Sequence, residues 1–551
     1  MGLPFHFSTP PRWLIVLSLV PLWLAGAFDT VQAQTRDFAA YLEALAGSDF
    51  KQKGEAMDRL AALQDPRMLP MLQALLDGRL YSRKSDKRFV TAERTGRDFV
   101  ISDVLTDQVL GKVAKRKLAK ISLNNPLRTK LRGIIARLHI HDKNPSVRLL
   151  AVAEIARNIT PESGLLLRET LTAEQDPKVL EAMRVALALL EIQSADKKTR
   201  LEAIVTLSGE PSTEVRNRLA TLVEQRPDGG YVEAEVEVRE AAARALKSID
   251  LKMSLYGLLE TTFFGLSLGS VLVLASFGLA ITFGVMGVIN MAHGEMLMLG
   301  AYTTYVVQLL MPNHVDLSLF VAIPAAFLLA GLAGMLIQLG VIRYLYGRPL
   351  ETLLATFGIS LFLQQLVRSV FSPLNRSVST PSWMSGSLEI SSALSLTYNR
   401  IYILAFGLLV FAALLVILKK TSLGLHVRAV SQNRAMAKAM GIRTTRVDAL
   451  TFGLGSGIAG VAGVALSQLT NVGPNLGQSY IVDTFMVVVF GGVGNLWGTL
   501  IGGLSLGVAN KFLEPYAGAV LAKILILVLI IIFIQKRPRG LFPQKGRVAE
   551  S

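Results

Sequence analysis

Ala517-Gly-Ala-Val-Leu-Ala-Lys-Ile-Leu-Ile-Leu-Val-Leu-Ile-Ile-Ile-Phe-Ile534 carries a single charge, Lys523, in eighteen residues. An α-helix needs about 20 apolar residues to cross the hydrocarbon core of a bilayer. Lys523 lies near one end of the run, where its stem can carry the ammonium to the interface. Directly after the run come Lys536, Arg537 and Arg539. Cytoplasmic loops collect such residues. The run is therefore a membrane span, and the tail 536–551 is placed in the cytoplasm.

Working back from this span, further apolar runs occupy 255–289, 296–311, 317–342, 352–371, 401–418, 449–470 and 481–510. The region 255–535 reads as a polytopic membrane domain. Basic residues fill 419–447 (Lys419, Lys420, Arg428, Arg434, Lys438, Arg443, Arg446), and Arg343 and Arg348 mark a shorter loop. All three basic segments belong on the cytoplasmic side. Parity then requires one net crossing in 255–289 and a doubled or re-entrant passage in 481–510, each too long for one straight span. The expectation is eight to nine spans, some broken. The predicted breaks are Gly284-Val-Met-Gly287-Val-Ile-Asn290-Met-Ala-His293-Gly294-Glu295 and Gly491-Gly492-Val-Gly494-Asn495. Backbone freed by a break inside a membrane faces protein or a water-filled cavity, so both segments are candidates for a solute path. The pairs Gly265/Gly269, Gly498/Gly502 and Gly503/Gly507 read instead as close helix packing.

The remainder differs in composition. The chain is 51% hydrophobic and 18% charged, below the usual charged share of about 25%, but 35–250 is charge-rich. Residues 1–33 read as a signal peptide: Arg12, an apolar core from Trp13 to Ala27, and Val31-Gln32-Ala33 before the cut. That places 35–250 in the periplasm. Its apolar positions recur at three- and four-residue spacing, as in Val147, Leu150, Ala151 and Ile155, so helix is expected throughout. Turn signals precede similar helices at Asn144-Pro145, Asp176-Pro177 and Glu210-Pro211, the prolines 32 and 34 residues apart. This period suggests stacked HEAT-like helix pairs, and the predicted fold class is all-α. The basic stretch from Arg83 to Lys120 is expected as an exposed loop or solvated helix face. The net charge of +16 is concentrated beside apolar spans and follows topology, so no nucleic-acid partner is expected. The chain has no cysteine, which excludes disulfides and thiolate chemistry.

No motif carries catalysis. Gly455-Ser-Gly457-Ile-Ala-Gly460 matches a dinucleotide fingerprint but lies inside an apolar span with no strand before it. A phosphate-binding Gly-x-x-x-x-Gly-Lys-[Ser/Thr] loop is lacking, so any ATP is used by another chain. His293 and Glu295, two residues apart, do not share a helix face, and no metal site is expected. Loop 419–447 reads as a docking element: Ser422, Gly424 and Arg428 lead into a short basic helix, Arg434-Ala435-Met-Ala-Lys-Ala439-Met, stopped by Gly441.

These segments together resemble a known family. Ala275 to Tyr302, Leu354 to Ser360, Ser422 to Ile442, Tyr480 to Gly503 and Arg537 to Phe542 look like the signature blocks of branched-chain amino acid-type ABC importer permeases. The extra helical domain makes the chain most similar to the B-type permeases of the urea-importer branch. The resemblance implies a multi-pass protein of the bacterial inner membrane that pairs with a second permease as a heterodimer. It implies two cytoplasmic ATPase subunits, a periplasmic substrate-binding protein, and no catalytic residue or cofactor in this chain. Ser422 to Ile442 is then the ATPase-coupling loop. A neutral polar solute such as urea needs donors and acceptors in a dry pocket, and Thr282, Asn290, Gln468, Asn471 and Asn495 are the candidates. The alternatives are a branched-chain amino acid permease and a passive channel with a periplasmic scaffold.

Overall fold

The computed structural model describes residues 41–47, 49–62, 68–95, 98–104, 108–227 and 229–542. The expected signal peptide and the tail beyond 542 lie outside the described residues. The chain divides into two compact units, Met1–Asp250 and Leu251–Ser551.

In the first unit, α1 (Phe50–Ala62) and α2 (Met68–Leu76) precede five strands. These are β1 (Leu80–Arg83), β2 (Phe89–Thr95), β3 (Asp98–Asp103), β4 (Val109–Ala114) and β5 (Leu118–Lys120), with a 3₁₀ turn at Lys115–Lys117. They form one sheet in the order β4-β3-β2-β1-β5, antiparallel throughout. This corrects the all-α expectation, and the loop or helix face expected from Arg83 to Lys120 is sheet. Tyr81, Val90, Ala92, Ile101 and Leu118 share one buried cluster. Leu80 and Phe89 instead join the cluster of α1 and α2.

Helices follow: α3 (Asn125–His139), α4 (Pro145–Arg157), α5 (Pro161–Leu171), α6 (Pro177–Glu191), α7 (Lys197–Ser208) and α8 (Thr213–Val223). Of the turn residues quoted from the sequence, Asn144 and Asp176 are N-caps, while the helix after Glu210-Pro211 is capped by Ser212. Asn124, Asn144, Thr160, Asp176, Asp196 and Ser212 each accept a backbone N–H of the first turn. A repeated arginine locks successive turns. Arg148 donates to the carbonyls of Asp142 and Lys143, and Arg200 to those of Ser194 and Ala195. Arg239 donates to those of Glu233 and Ala234.

The second unit takes over within α9 (Val236–Met286), a single helix. The break expected within 255–289 therefore falls at its end, where Gly287 adopts φ 67°, a left-handed conformation that suits glycine. After residues 287–292 come α10 (His293–Leu310), α11 (Val315–Gly340), α12 (Pro349–Phe371), the hairpin β6 (Ser387–Ser391) with β7 (Leu394–Thr397), and α13 (Tyr398–Lys420). The short α14 (Ser422–Gln432) and α15 (Arg434–Ala439) lead to α16 (Thr444–Ser467), α17 (Leu476–Gly491) and α18 (Leu496–Lys536). Among the described residues six helices are long and apolar enough to cross a membrane, against the eight to nine expected: α9, α11, α12, α13, α16 and α18. The difference has a physical source. With 16 residues α17 is short, α10 carries His293, Glu295 and Gln308 among its 18, and α18 joins two helical segments at Gly518, φ 77°. The break between α17 and α18 falls at Gly492 and Gly494, both with positive φ.

The basic segments converge at one end of these helices. The Arg434 guanidinium lies 4.1 Å from the Tyr346 ring centroid. Leu541 and Phe542 donate to the carbonyls of Phe490 and Gly491. Ile342, Val285, Val427, Val430 and Ala437 share one cluster there. At the centre stands α16, buried along nearly its whole length. A methyl at Gly455 would meet Gly278, one at Gly457 would meet Phe327, and one at Gly460 would meet Ala326 and Ala330. The glycines that imitate a dinucleotide motif are thus contact points for neighbouring helices.

Candidate functional site

The first helix turn of α10 lies well inside the unit. His293 Nε2 is 3.0 Å from the Ala275 carbonyl, in the last quarter of α9, and a methyl at Gly294 would strike Gly477 of α17. Residues 287–292 lead into this point without helical structure. Two of their amides find side-chain partners. Ala292 N donates to Asn290 Oδ1 at 3.0 Å, and Met291 N donates to Thr356 Oγ1 of α12 at 3.2 Å.

Two residues past His293, Glu295 is 1% exposed. Its Oε1 accepts from Ser360 Oγ and from Gln364 Nε2, both at 2.8 Å. Neither Glu295 Oε2 nor His293 Nδ1 has a hydrogen-bond partner. The donors belong to a stripe on α12. Thr352, Thr356, Ser360 and Gln364 recur every fourth residue, and each is at most 5% exposed, whereas Leu354 and Phe362 on the same helix are 70% and 66% exposed. Four-residue spacing puts them on one face. Thr352 Oγ1 continues the line to the Leu345 and Arg348 carbonyls. At the other end Arg368 donates to Asn475 Oδ1 at 2.7 Å. A polar seam thus runs the length of α12 with one carboxylate against its middle. It offers acceptors and donors for a polar solute, and no nucleophile–base pair. Among the described residues no three His, Cys, Asp or Glu side chains converge as a metal site would require.

The residues singled out by sequence fall in different places. Asn290 lies at the break, beside the seam. Thr282 is buried but donates to Gly278 and Leu279 of its own helix. Gln468 is buried at the end of α16, its Nε2 on Ser467 Oγ and its Oε1 unpartnered. Asn471 is exposed in the next loop. Asn495 caps α18 through Trp497 N and Gly498 N and donates to the Phe542 carbonyl, so it closes the basic end. Glu295 closes the segment Gly284–Glu295 marked from sequence as a candidate path, whereas Thr356, Ser360 and Gln364 were not selected as path residues. The four-residue polar spacing within an apolar span was the available signal.

The loop at the basic end has its own geometry. Thr421 caps α14 by accepting Gly424 N, just past the exposed Ser422. Gly424 abuts the Leu418 carbonyl so closely that no Cβ fits, and the exposed Arg428 donates to that same carbonyl. In α15, Asn433 caps the start, and Arg434 pairs with Asp448 of α16 through Nη1 and Nη2. Ala437 faces inward, while Ala435 and Ala439 are exposed, with Met436 and Met440 at 60% and 77%. Gly441 ends the helix at φ 86°.

A family model described as branched-chain amino acid transport system / permease component matches residues 261–534, all within the second unit. The high-affinity branched-chain amino acid transport system permease protein LivH of Salmonella typhimurium is 32% identical over 295 residues, covering 51% of this chain and 94% of that protein. LivH of Escherichia coli (strain K12) is 32% identical over 294 residues, with the same coverage. BraD of Pseudomonas aeruginosa, described in the same words, is 29% identical over 297 residues, covering 52% of this chain and 96% of its own length. No solved structure matches the chain.

Proposed function

We propose a function from one premise: this chain belongs to the family of branched-chain amino acid transport permease components. It is the permease of an ATP-driven importer that moves urea or a short amide inward across the bacterial inner membrane. A second permease completes the path, two cytoplasmic ATPase subunits supply the energy, and a periplasmic protein delivers the solute. The observation that carries the energised reading is α15. This short helix offers an apolar surface to a partner and is tied to α16 by Arg434 and Asp448. Motion of α15 therefore reaches α16, whose glycines touch the helices around it. A passive channel has no use for such a handle.

The solute crosses along the seam of α12, past the break at 287–292. The five residues chosen from sequence reduce, on this reading, to Asn290, with Ser360, Gln364 and Glu295 beside it. Urea is favoured by the charge-rich residues 35–250, outside the family match, and by the polar character of the seam. Branched-chain amino acids are the second reading, favoured by the names of LivH and BraD. The first unit, placed in the periplasm, receives the solute-binding protein.

The docking role is tested with Gly441→Arg. An arginine at φ 86° strains the backbone and adds bulk to the exposed stop of α15. Membrane insertion should be normal and ATP-driven uptake abolished; unchanged uptake would sink the docking role. For the substrate, competition against labelled urea by acetamide and by leucine separates the two readings. Competition by leucine but not acetamide overturns urea.

A further inference from the structure

We infer that Glu295 Oε2 is the group that holds the passing solute, and that this solute carries N–H donors, as an amide or an ammonium. The inference rests on the permease reading and deepens it. Glu295 is 1% exposed, yet its carboxylate is half used. Ser360 and Gln364 both donate to Oε1, while Oε2 accepts nothing. A carboxylate has about four acceptor positions, and an acceptor left unmade in a dry interior is costly. Ionisable residues inside a membrane are rare and mark solute or ion pathways. Oε2 itself is buried in protein and unpaired. Both donors come from one face of α12 and hold the carboxyl by its other oxygen.

His293, two residues earlier and packed against α9 on a different face of α10, is also fully buried and has an unpartnered nitrogen, Nδ1. Two unmet polar atoms therefore lie in the first turn of α10, just past the non-helical segment 287–292. Urea, short amides and amino acids differ in size and charge but share N–H groups. A carboxylate oxygen takes such donors in charge-assisted hydrogen bonds. It rejects a solute without them, because a buried acceptor would then stay unpaired.

The test is uptake by the importer reconstituted in liposomes with its co-purifying partners, using labelled urea and, separately, labelled leucine. Glu295→Gln keeps the size and can still accept from Ser360, but loses the charge. It should raise KM about tenfold or more for whichever solute the wild type carries, with kcat changed less. The binding protein is the same in both assays, so the difference belongs to Glu295. In the urea arm, wild-type uptake should be inhibited by acetamide and not by N,N-dimethylacetamide, which lacks N–H. In the leucine arm, unlabelled leucine should compete and its N-trimethylated form should not. The arm that responds identifies amide or ammonium. Glu295→Asp keeps the carboxylate and should show a smaller KM rise; it carries the test if Glu295→Gln fails to fold. An unchanged KM with only kcat reduced makes Glu295 a pin between α10 and α12 and overturns the inference. Equal inhibition by the compounds lacking N–H also overturns it. A wild type that takes up neither urea nor leucine defeats the substrate reading instead.

Discussion

Helices in the first unit meet through side chains. Val152, Leu167, Val179, Met183 and Ala186 interlock in one buried cluster shared by α4, α5 and α6. In the second unit the tightest meetings are backbone on backbone: Gly300 against Gly460, Gly269 against Gly507, Gly491 against Gly498. Water drives the first kind of packing, since large apolar side chains gain by leaving it. Lipid gives no such drive. Leucine is as comfortable against an acyl chain as against another helix, so association depends on close approach and small residues. The same α-helix is thus assembled by opposite rules, and side-chain size has opposite value in the two units.

Gly300→Val should have the largest effect in the second unit. A side chain at Gly300 would sit on the Gly460 carbonyl, backbone that cannot move aside. The prediction is loss of a folded second unit, seen as failure to recover monodisperse protein in detergent. A variant purified in normal yield with wild-type uptake would remove backbone contact as the organising principle there.

Sequence patterns reported the second unit's solvent well and its polar contacts poorly. The breaks at Gly287 and Gly492–Gly494 were legible because glycine interrupts apolar runs there and charge parity demanded a turn. The α14–α15 loop was legible because its basic residues and Gly441 are local signals. The seam was not, because Ser360 and Gln364 find Glu295 across 65 and 69 residues. Asn495 looked like a path residue by type, but helix caps use the same side chain. The sheet of the first unit was hidden for a similar reason. Closing β5 onto β1 pairs Tyr81 with Lys120, a long-range match that local periodicity does not register. The solvent faces of the strands carry so many charges that the alternation reads as a solvated helix.

A smaller effect sharpens the first unit's side of the comparison, where polar side chains are paired at water's edge. Arg148 donates to Glu174 through Nε at 2.6 Å and Nη2 at 2.7 Å. This hydrogen bond, with those from Asp176 N and Gln175 N, holds the Glu174 carboxyl down at about 2, against an ordinary 4.5. A carboxylate held low when folded contributes stability that is complete above its unfolded value and disappears as pH falls toward the folded one. Protection factors of α4 and α6, which correct amide exchange for its own pH dependence, should therefore fall between about pH 4.5 and 2. In Glu174→Gln the protection should be lower at neutral pH and flatter across that window. The same slope in both proteins would remove the pair from the unit's acid response.

The smallest effect mirrors the largest. Gly133 lies within α3, and a methyl there meets nothing within 4 Å. In a helix interior alanine is favoured over glycine by about 1 kcal/mol, chiefly because glycine loses more freedom on folding. Gly133→Ala should therefore slow amide exchange in α3 by a few-fold. The same one-methyl change at Gly460 meets Ala326 and Ala330 and should weaken the second unit. Opposite signs for one substitution in two helices of one chain follow if the solvent around each helix sets the value of a side chain. Destabilisation at Gly133 would mean that α3 also depends on close approach, and the contrast between the two units would fail.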